Sequence, residues 1–167
     1  MLMRIFAWLL VIVAVVLQGC YSFSTENRLT HLHTIAVPIF NDHSGAGIAQ
    51  SRSELTKALI DRLERESALR LIPSLSLADA LLEGTLVAYS DVPAQLSATT
   101  GRAATNRITL IVQVELEERS THELLFSERF VGSAEYAIGN MVAQQEARRR
   151  AQHQIAESIA DRIISGW

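Results

Sequence analysis

The chain has 167 residues, 49% of them hydrophobic and 20% charged, with a formal net charge of −3 and a single cysteine. That is enough chain for one domain with a real core, and too apolar for a disordered one. The mild acidity argues against a general nucleic-acid binder, and one thiol excludes an internal disulfide, so packing alone must hold the fold.

Residues 1–19 read as a secretory leader. Met1 to Arg4 gives a basic start, Ile5 to Leu17 is an unbroken apolar run of thirteen residues, and Gly19 is the small residue before Cys20. At about 1.5 Å per residue the run reaches about 20 Å, short of a hydrocarbon core of about 30 Å, so it is not read as a membrane span. Leu17-Gln18-Gly19-Cys20 resembles the lipobox of bacterial lipoproteins. The resemblance implies cleavage after Gly19, a diacylglycerol on the Cys20 thiol and acylation of the new amine. Tyr21, where an Asp would favour inner-membrane retention, implies a lipid anchor in the outer membrane, on its periplasmic side. Removing 19 of 167 residues leaves 148, with 14 basic against 18 acidic side chains.

Tyr21 to His33 is polar and lacks periodicity, and 20–33 is read as a lipidated tether. His31 and His33 stand two apart, but no third metal ligand is nearby, and a surface pair is the preferred reading. Thr34 to Phe40 (TIAVPIF) has the β-branched, apolar character of a buried strand, with Pro38 placing it at an edge or in a bulge. Asn41 to Gly47 is predicted as a turn. Its Asn41, Asp42, His43 and Ser44 are adjacent loop residues, and they lack the separated base, orienting group and oxyanion site of a catalytic triad.

Ile48 to Ser67 is predicted as a helix with Leu55, Ala58, Leu59 and Leu63 on its apolar stripe. Ser51 or Ser53 is expected to cap it, and Asp61–Arg65 to pair on its charged face. Leu69 to Ile72 is a short strand, Leu77 to Ala80 a brief helical turn, and Leu81 to Val92 a longer strand with Gly84 as a candidate bulge, stopping at Pro93. Strand, helix, strand in that order implies a parallel crossover. Pro93 to Asn106 is expected to be a mobile loop.

Arg107 to Glu118 alternates. Ile108, Leu110, Val112, Val114 and Leu116 face one way, and Thr109, Gln113, Glu115 and Glu117 the other, with Ile111 the exception. Period two with one polar face means a sheet covered on one side. Arg119 to Glu123 is a turn, and Leu124 to Tyr136 returns as the partner strand. Glu128 and Arg129 on opposite faces argue against a membrane-spanning hairpin. Gly139-Asn140 ends the sheet and caps a helix from Met141 to Ser165, with Ala147, Ala151, Ile155, Ile159 and Ile163 at four-residue steps, joined by Ala156 and Ala160. Arg148, Arg149 and Arg150 cannot share one face and are read as solvated. Gly166 stops the helix, and Trp167 is expected to pack back on the sheet.

Together these elements resemble the LptE family, outer-membrane lipoproteins of lipopolysaccharide assembly, in its non-enteric branch. The resemblance rests on Gly19-Cys20-Tyr21-Ser22-Phe23, on Thr34 to Phe40 with Asn41-Asp42 and Ser44-Gly45, on Ala78 to Thr85, on the long hairpin, and on the closing Ser165-Gly166-Trp167. It implies an α+β fold, two helices packed on one face of a four- to five-stranded mixed sheet, as a single domain over 34–167. It implies a binding role without catalysis or cofactor: a plug and assembly factor for the LptD-type barrel, in contact with lipopolysaccharide. Lipopolysaccharide is polyanionic, so cations are needed. Arg102 and Arg107, clustered beside the predicted loop, are the candidates, read from this sequence alone. The segment TIAVPIFNDHSG, a helix and LEGTL also resemble the periplasmic domain of curli-secretion lipoproteins, cell-wall-synthase activators and TolB. A channel would need two membrane hairpins, and an activator a tether longer than the roughly 45 Å available here. No Gly-rich phosphate loop, Cys/His metal set or spaced carboxylate pair supports an enzyme.

Overall fold

The computed structural model describes residues 31–47, 49–96 and 103–165. The expectations for the leader, Gly19, Cys20, Arg102 and Trp167 lie outside these residues.

Two helices cover one face of a mixed sheet. In chain order the elements are β1 (Thr34–Ala36), β2 (Asn41–Asp42), α1 (Ala49–Glu66), β3 (Arg70–Leu71), β4 (Ala80–Leu96), β5 (Ala103–Glu118), β6 (Glu123–Ala137) and α2 (Met141–Ser165). The strands lie in the order β3-β1-β4-β5-β6, with β2 also on β4. β1 is parallel to β3 and β4, as the predicted crossover requires, and the three long strands are antiparallel. The α+β class and the two helices on one sheet face are as expected from the sequence.

The alternation in β5 decides what the sheet buries. Ile108, Leu110, Val112, Val114 and Leu116 are all buried against Leu55, Leu59 and Leu63 of α1 and Ala147, Ala151, Ile155, Ile159 and Ile163 of α2. α2 approaches β6 closely because Gly132 has no side chain; a Cβ there would overlap the Ala151 carbonyl. Asn140 caps α2 through its Oδ1, which accepts the Ala143 N–H at 3.0 Å.

Several local expectations are corrected. The first strand ends at Ala36, and Asn41–Asp42 pairs with Thr85 and Leu86 where a turn was expected. Pro38 has no N–H to continue the ladder. The chain takes five steps from Ala36 to Asn41 while β4 takes four from Leu81 to Thr85, so the proline sits in a bulge, one of its two predicted settings. Phe40 is pinned by its N–H to Thr56 Oγ1 at 3.0 Å. α1 has already begun at Ala49, so neither Ser51 nor Ser53 is its cap; Ser51 is buried, and Ser53 Oγ donates to Gln50 O at 2.9 Å. Asp61 pairs at 2.8 Å with Lys57, one turn before it, and not with the predicted Arg65 one turn after it.

Gly84 is no bulge. It stays in register with Val114 and makes room for the Phe40 ring, while the bulge falls between Leu86 and Ala88. β4 also runs past Pro93, which pairs with Asn106. β2 leaves β4 after Leu86, so Pro93 lies where β4 has only β5 beside it, an edge position that tolerates a missing donor. Pro93 to Leu96 and Ala103 to Asn106 are therefore strand, against the expectation of a loop. Small Ala and Thr residues lack the apolar mark of a core strand, yet they extend a hairpin whose far end needs no core.

Candidate functional site

The site with the most exposed chemistry is the end of the sheet formed by the close of β4, the start of β5, the close of β6 and the first turns of α2. On the open face Arg107 stands in register between Val92 and Glu135. Its guanidinium donates to Glu135 Oε1 through Nη2 at 2.5 Å and Nε at 3.2 Å, and Gln95 reaches Glu135 Oε2 at 3.3 Å. From the helix side Arg150 donates to the Glu135 carbonyl at 2.9 Å. Two guanidiniums therefore meet at Glu135, one at its carboxylate and one at its backbone carbonyl.

Beyond these charges the end is apolar. Val92, Leu96, Ile138, Met141 and Val142 are all exposed, with Leu96 at 69% and Met141 at 79%. These are half of the large exposed hydrophobics among the described residues, gathered at one end, which is a recognised mark of an interaction surface.

Beneath the tip lies a polar cluster. The Asp91 carboxylate accepts Asn106 Nδ2 at 2.9 Å, the Tyr136 hydroxyl at 2.7 Å and Gln144 Nε2 at 2.9 Å. Burial pushes this carboxyl up, but the bonds from Tyr136, Gln144 and Asn106 outweigh it and hold the carboxyl below its ordinary value. Burial, helped by the Asp91 charge and hydrogen bond, raises the Tyr136 phenol.

The open face behind the tip is largely polar. Gln113 donates to Ser127, Ser127 to Glu115, and Arg129 to Gln113, while Ser90, Thr109 and Ser133 form a hydroxyl row in register. Ile111, the exception in the alternation, lies between Ala88 and Val131, so three apolar residues cross the open face in one row. At the opposite end His31 meets Glu118 at 3.1 Å, and Leu32 is the first residue in the core. Among the described residues no group of three or more His, Cys, Asp or Glu could hold a metal ion, and no helix is long and apolar enough to cross a membrane.

A sequence model of lipopolysaccharide-assembly proteins, LptE, matches residues 32–165, which includes both helices, the whole sheet and the tip. The chain belongs to the LptE family. This is a family of non-enzymatic lipoproteins of lipopolysaccharide assembly, and the match selects it over the curli-secretion and TolB resemblance. No curated protein matches in sequence.

Solved structures share the LptE-like fold at low identity. A protein from Xanthomonas campestris superposes with a TM-score of 0.63 at 13% identity, covering 81% of this chain and 85% of its own. Lipoprotein B from Nitrosomonas europaea gives 0.55 at 11% identity, covering 80% and 83%. A minor lipoprotein from Acinetobacter baumannii gives 0.53 at 14% identity, covering 81% and 94%.

Of the candidate residues in this LptE-family chain, the structure places Arg107 on the open face at the tip; Arg102 lies outside the described residues. Sequence reasoning missed Arg150, the apolar rim and the Asp91 cluster. One signal was readable. Asn106 has the same parity as Ile108 to Leu116, so a polar side chain stands at a core-facing position.

Proposed function

We propose that this protein is an outer-membrane lipoprotein, cleaved after Gly19 and acylated at Cys20, whose domain plugs an LptD-type barrel and assists its assembly. Residues 20–33 act as its tether, and the tip contacts lipopolysaccharide through Arg107 and Arg102. The observation that carries this reading is the division of the sheet: one face is buried under two helices, and the other is open and polar, ending in a tip with two guanidiniums and an apolar rim. A barrel lumen has polar walls, which suit a plug whose uncovered face is hydroxyl and amide.

The dimensions agree. The tether enters beside Glu118 at one end of the 16-residue strand β5, and the tip lies towards the other end. At about 3.4 Å per residue this strand extends about 50 Å, against about 40–45 Å for a bilayer with its headgroups. A domain anchored in the periplasmic leaflet and inserted in a lumen would carry its tip towards the outer leaflet. Lipopolysaccharide offers phosphates to guanidiniums and acyl chains to Leu96, Met141 and Val142.

The test is a C-terminally tagged full-length protein, purified from gently solubilised outer membranes, with partners identified by mass spectrometry. A one-to-one complex with a large barrel protein supports the plug. A homo-oligomer, or a cell-wall synthase in place of the barrel, overturns it. Photo-crosslinkers at Thr109 and Val131 on the open face are expected to capture the barrel.

A further inference from the structure

We propose that Asp91 is the positioning residue of the tip: its carboxylate clamps β4, β5, β6 and α2 together and so fixes Val92, Arg107 and Glu135 for an anionic lipid ligand. This rests on the reading of the tip as a lipopolysaccharide contact.

The clamp gathers four elements on one carboxylate. Asp91 is in β4, Asn106 in β5, Tyr136 in β6 and Gln144 near the start of α2, and each of the last three donates to it within 2.9 Å. Each strand member has a tip residue as its next neighbour in sequence. Asp91 precedes Val92, Asn106 precedes Arg107, and Tyr136 follows Glu135. Successive strand side chains point to opposite faces, so fixing one residue under the sheet fixes its neighbour above it.

This end needs such a clamp. β4 has lost β1 and β2 beyond Leu86, and register shifts interrupt its pairing with β5 on both sides of Gln95. The fully buried core stops at Ile108 in β5, and beyond it the arms are held only by part-buried contacts such as the Tyr136 ring. Asp91 is suited to the task because two carboxylate oxygens accept all three donors, whereas an amide offers one acceptor oxygen. The charge is held by neutral donors, with no ion pair to Asp91 among the described residues. Asn106 shows how the cluster is oriented. Its amide turns its NH2 group to Asp91 and leaves Oδ1 buried without a partner. An orphaned acceptor is a cost that the Asn106–Asp91 bond must offset.

The test uses the full-length lipidated protein in detergent, with Tyr136→Phe, which keeps the ring and removes one donor, and Asp91→Asn. Arg162→Gln, which breaks the 2.8 Å contact with Glu128 at the other end of α2, is the control for general destabilisation. Hydrogen exchange is followed at the amides of Val92, Arg107 and Glu135, and purified lipopolysaccharide is titrated in micelles. Both tip variants should speed exchange at these amides about tenfold and weaken lipopolysaccharide binding by a similar factor, while Leu110 to Leu116 and the control stay as wild type. Unchanged exchange at the tip, or equal weakening of binding in the control, overturns the clamp. A wild-type protein that binds no lipopolysaccharide overturns the ligand reading, and exchange alone then still decides whether Asp91 holds the tip. Should Tyr136→Phe fail to fold, Asp91→Asn carries both measurements.

Discussion

Asp79 and Thr34 bind each other in both directions. The Thr34 N–H donates to Asp79 Oδ2 at 2.9 Å, and the Asp79 N–H donates back to Thr34 Oγ1 at 2.9 Å. The His33 N–H joins the same carboxylate oxygen, also at 2.9 Å. The start of β1 is thereby fastened to the start of β4 where the chain enters the domain. Asp79→Asn leaves at least one of these N–H groups a weaker acceptor, and a loss of about 1–2 kcal/mol is expected. It should show as a lower urea midpoint with an unchanged slope.

The same pair sets a pH dependence. The Asp79 carboxyl is held below its ordinary value of 3.8, chiefly by the His33 N–H and then by Thr34. A carboxyl with a depressed folded pKa stabilises fully above its unfolded pKa, and that stability fades as pH falls through the folded value. The gap between wild type and Asp79→Asn should thus be full at pH 7 and narrow below about pH 4. Urea midpoints measured from pH 7 to pH 2 decide it; a gap of constant size across that range contradicts the assignment.

Gly132 and Gly84 make a graded pair. A Cβ on Gly132 meets the Ala151 backbone carbonyl first, while one on Gly84 meets the Phe40 ring first. Backbone in a helix cannot turn aside, and a ring has some freedom to. Gly132→Ala is therefore expected to cost about 3 kcal/mol and Gly84→Ala about 1–2 kcal/mol. Thermal midpoints should rank them in that order, and the reverse order would show that α2 shifts more easily than Phe40.

These particulars show what could be read beforehand. The β5 alternation and the four-residue steps of α2 dictated one buried face each, because periodicity is a property of the chain itself. The end of β1, the bulge after Leu86 and the extension of β4 past Pro93 depend on which strand lies alongside, and that is tertiary information. Pro93 marked an end only if β4 had neighbours on both sides there; it has one. The tip was legible in Arg107 but not in Met141 or Leu96, because apolar residues carry no mark of exposure until their neighbours are known.

Arg107→Glu tests the tip directly. The substitution would place two carboxylates opposite each other, since Arg107 and Glu135 are in register. Both side chains are at least partly exposed, so the stability cost should stay within about 1 kcal/mol. Lipopolysaccharide binding in micelles should nonetheless fall several-fold, with a weaker dependence on salt than wild type. Binding that survives the reversal removes Arg107 from the contact.

Arg62 supports a last prediction, whose size depends on salt. Its guanidinium lies among Glu66 at 3.1 Å, Asp161 at 3.3 Å and Glu157 at 3.4 Å, and so joins α1 to α2. The carboxylates are more than a third exposed, so each contact by itself contributes little. Removing the cation does more than delete weak pairs, because three anions are left around a vacated centre. Arg62→Ala is expected to cost about 1 kcal/mol at low ionic strength, partly through lost packing of the side-chain stem. Salt screens attraction in the wild type but repulsion in the variant. Raising the salt from 0.01 M to about 0.5 M should therefore narrow the gap between their thermal midpoints. A gap that does not move with salt would assign Arg62 to packing alone, and the helix pair would then owe its contact to Leu55, Leu59, Ala156 and Ala160.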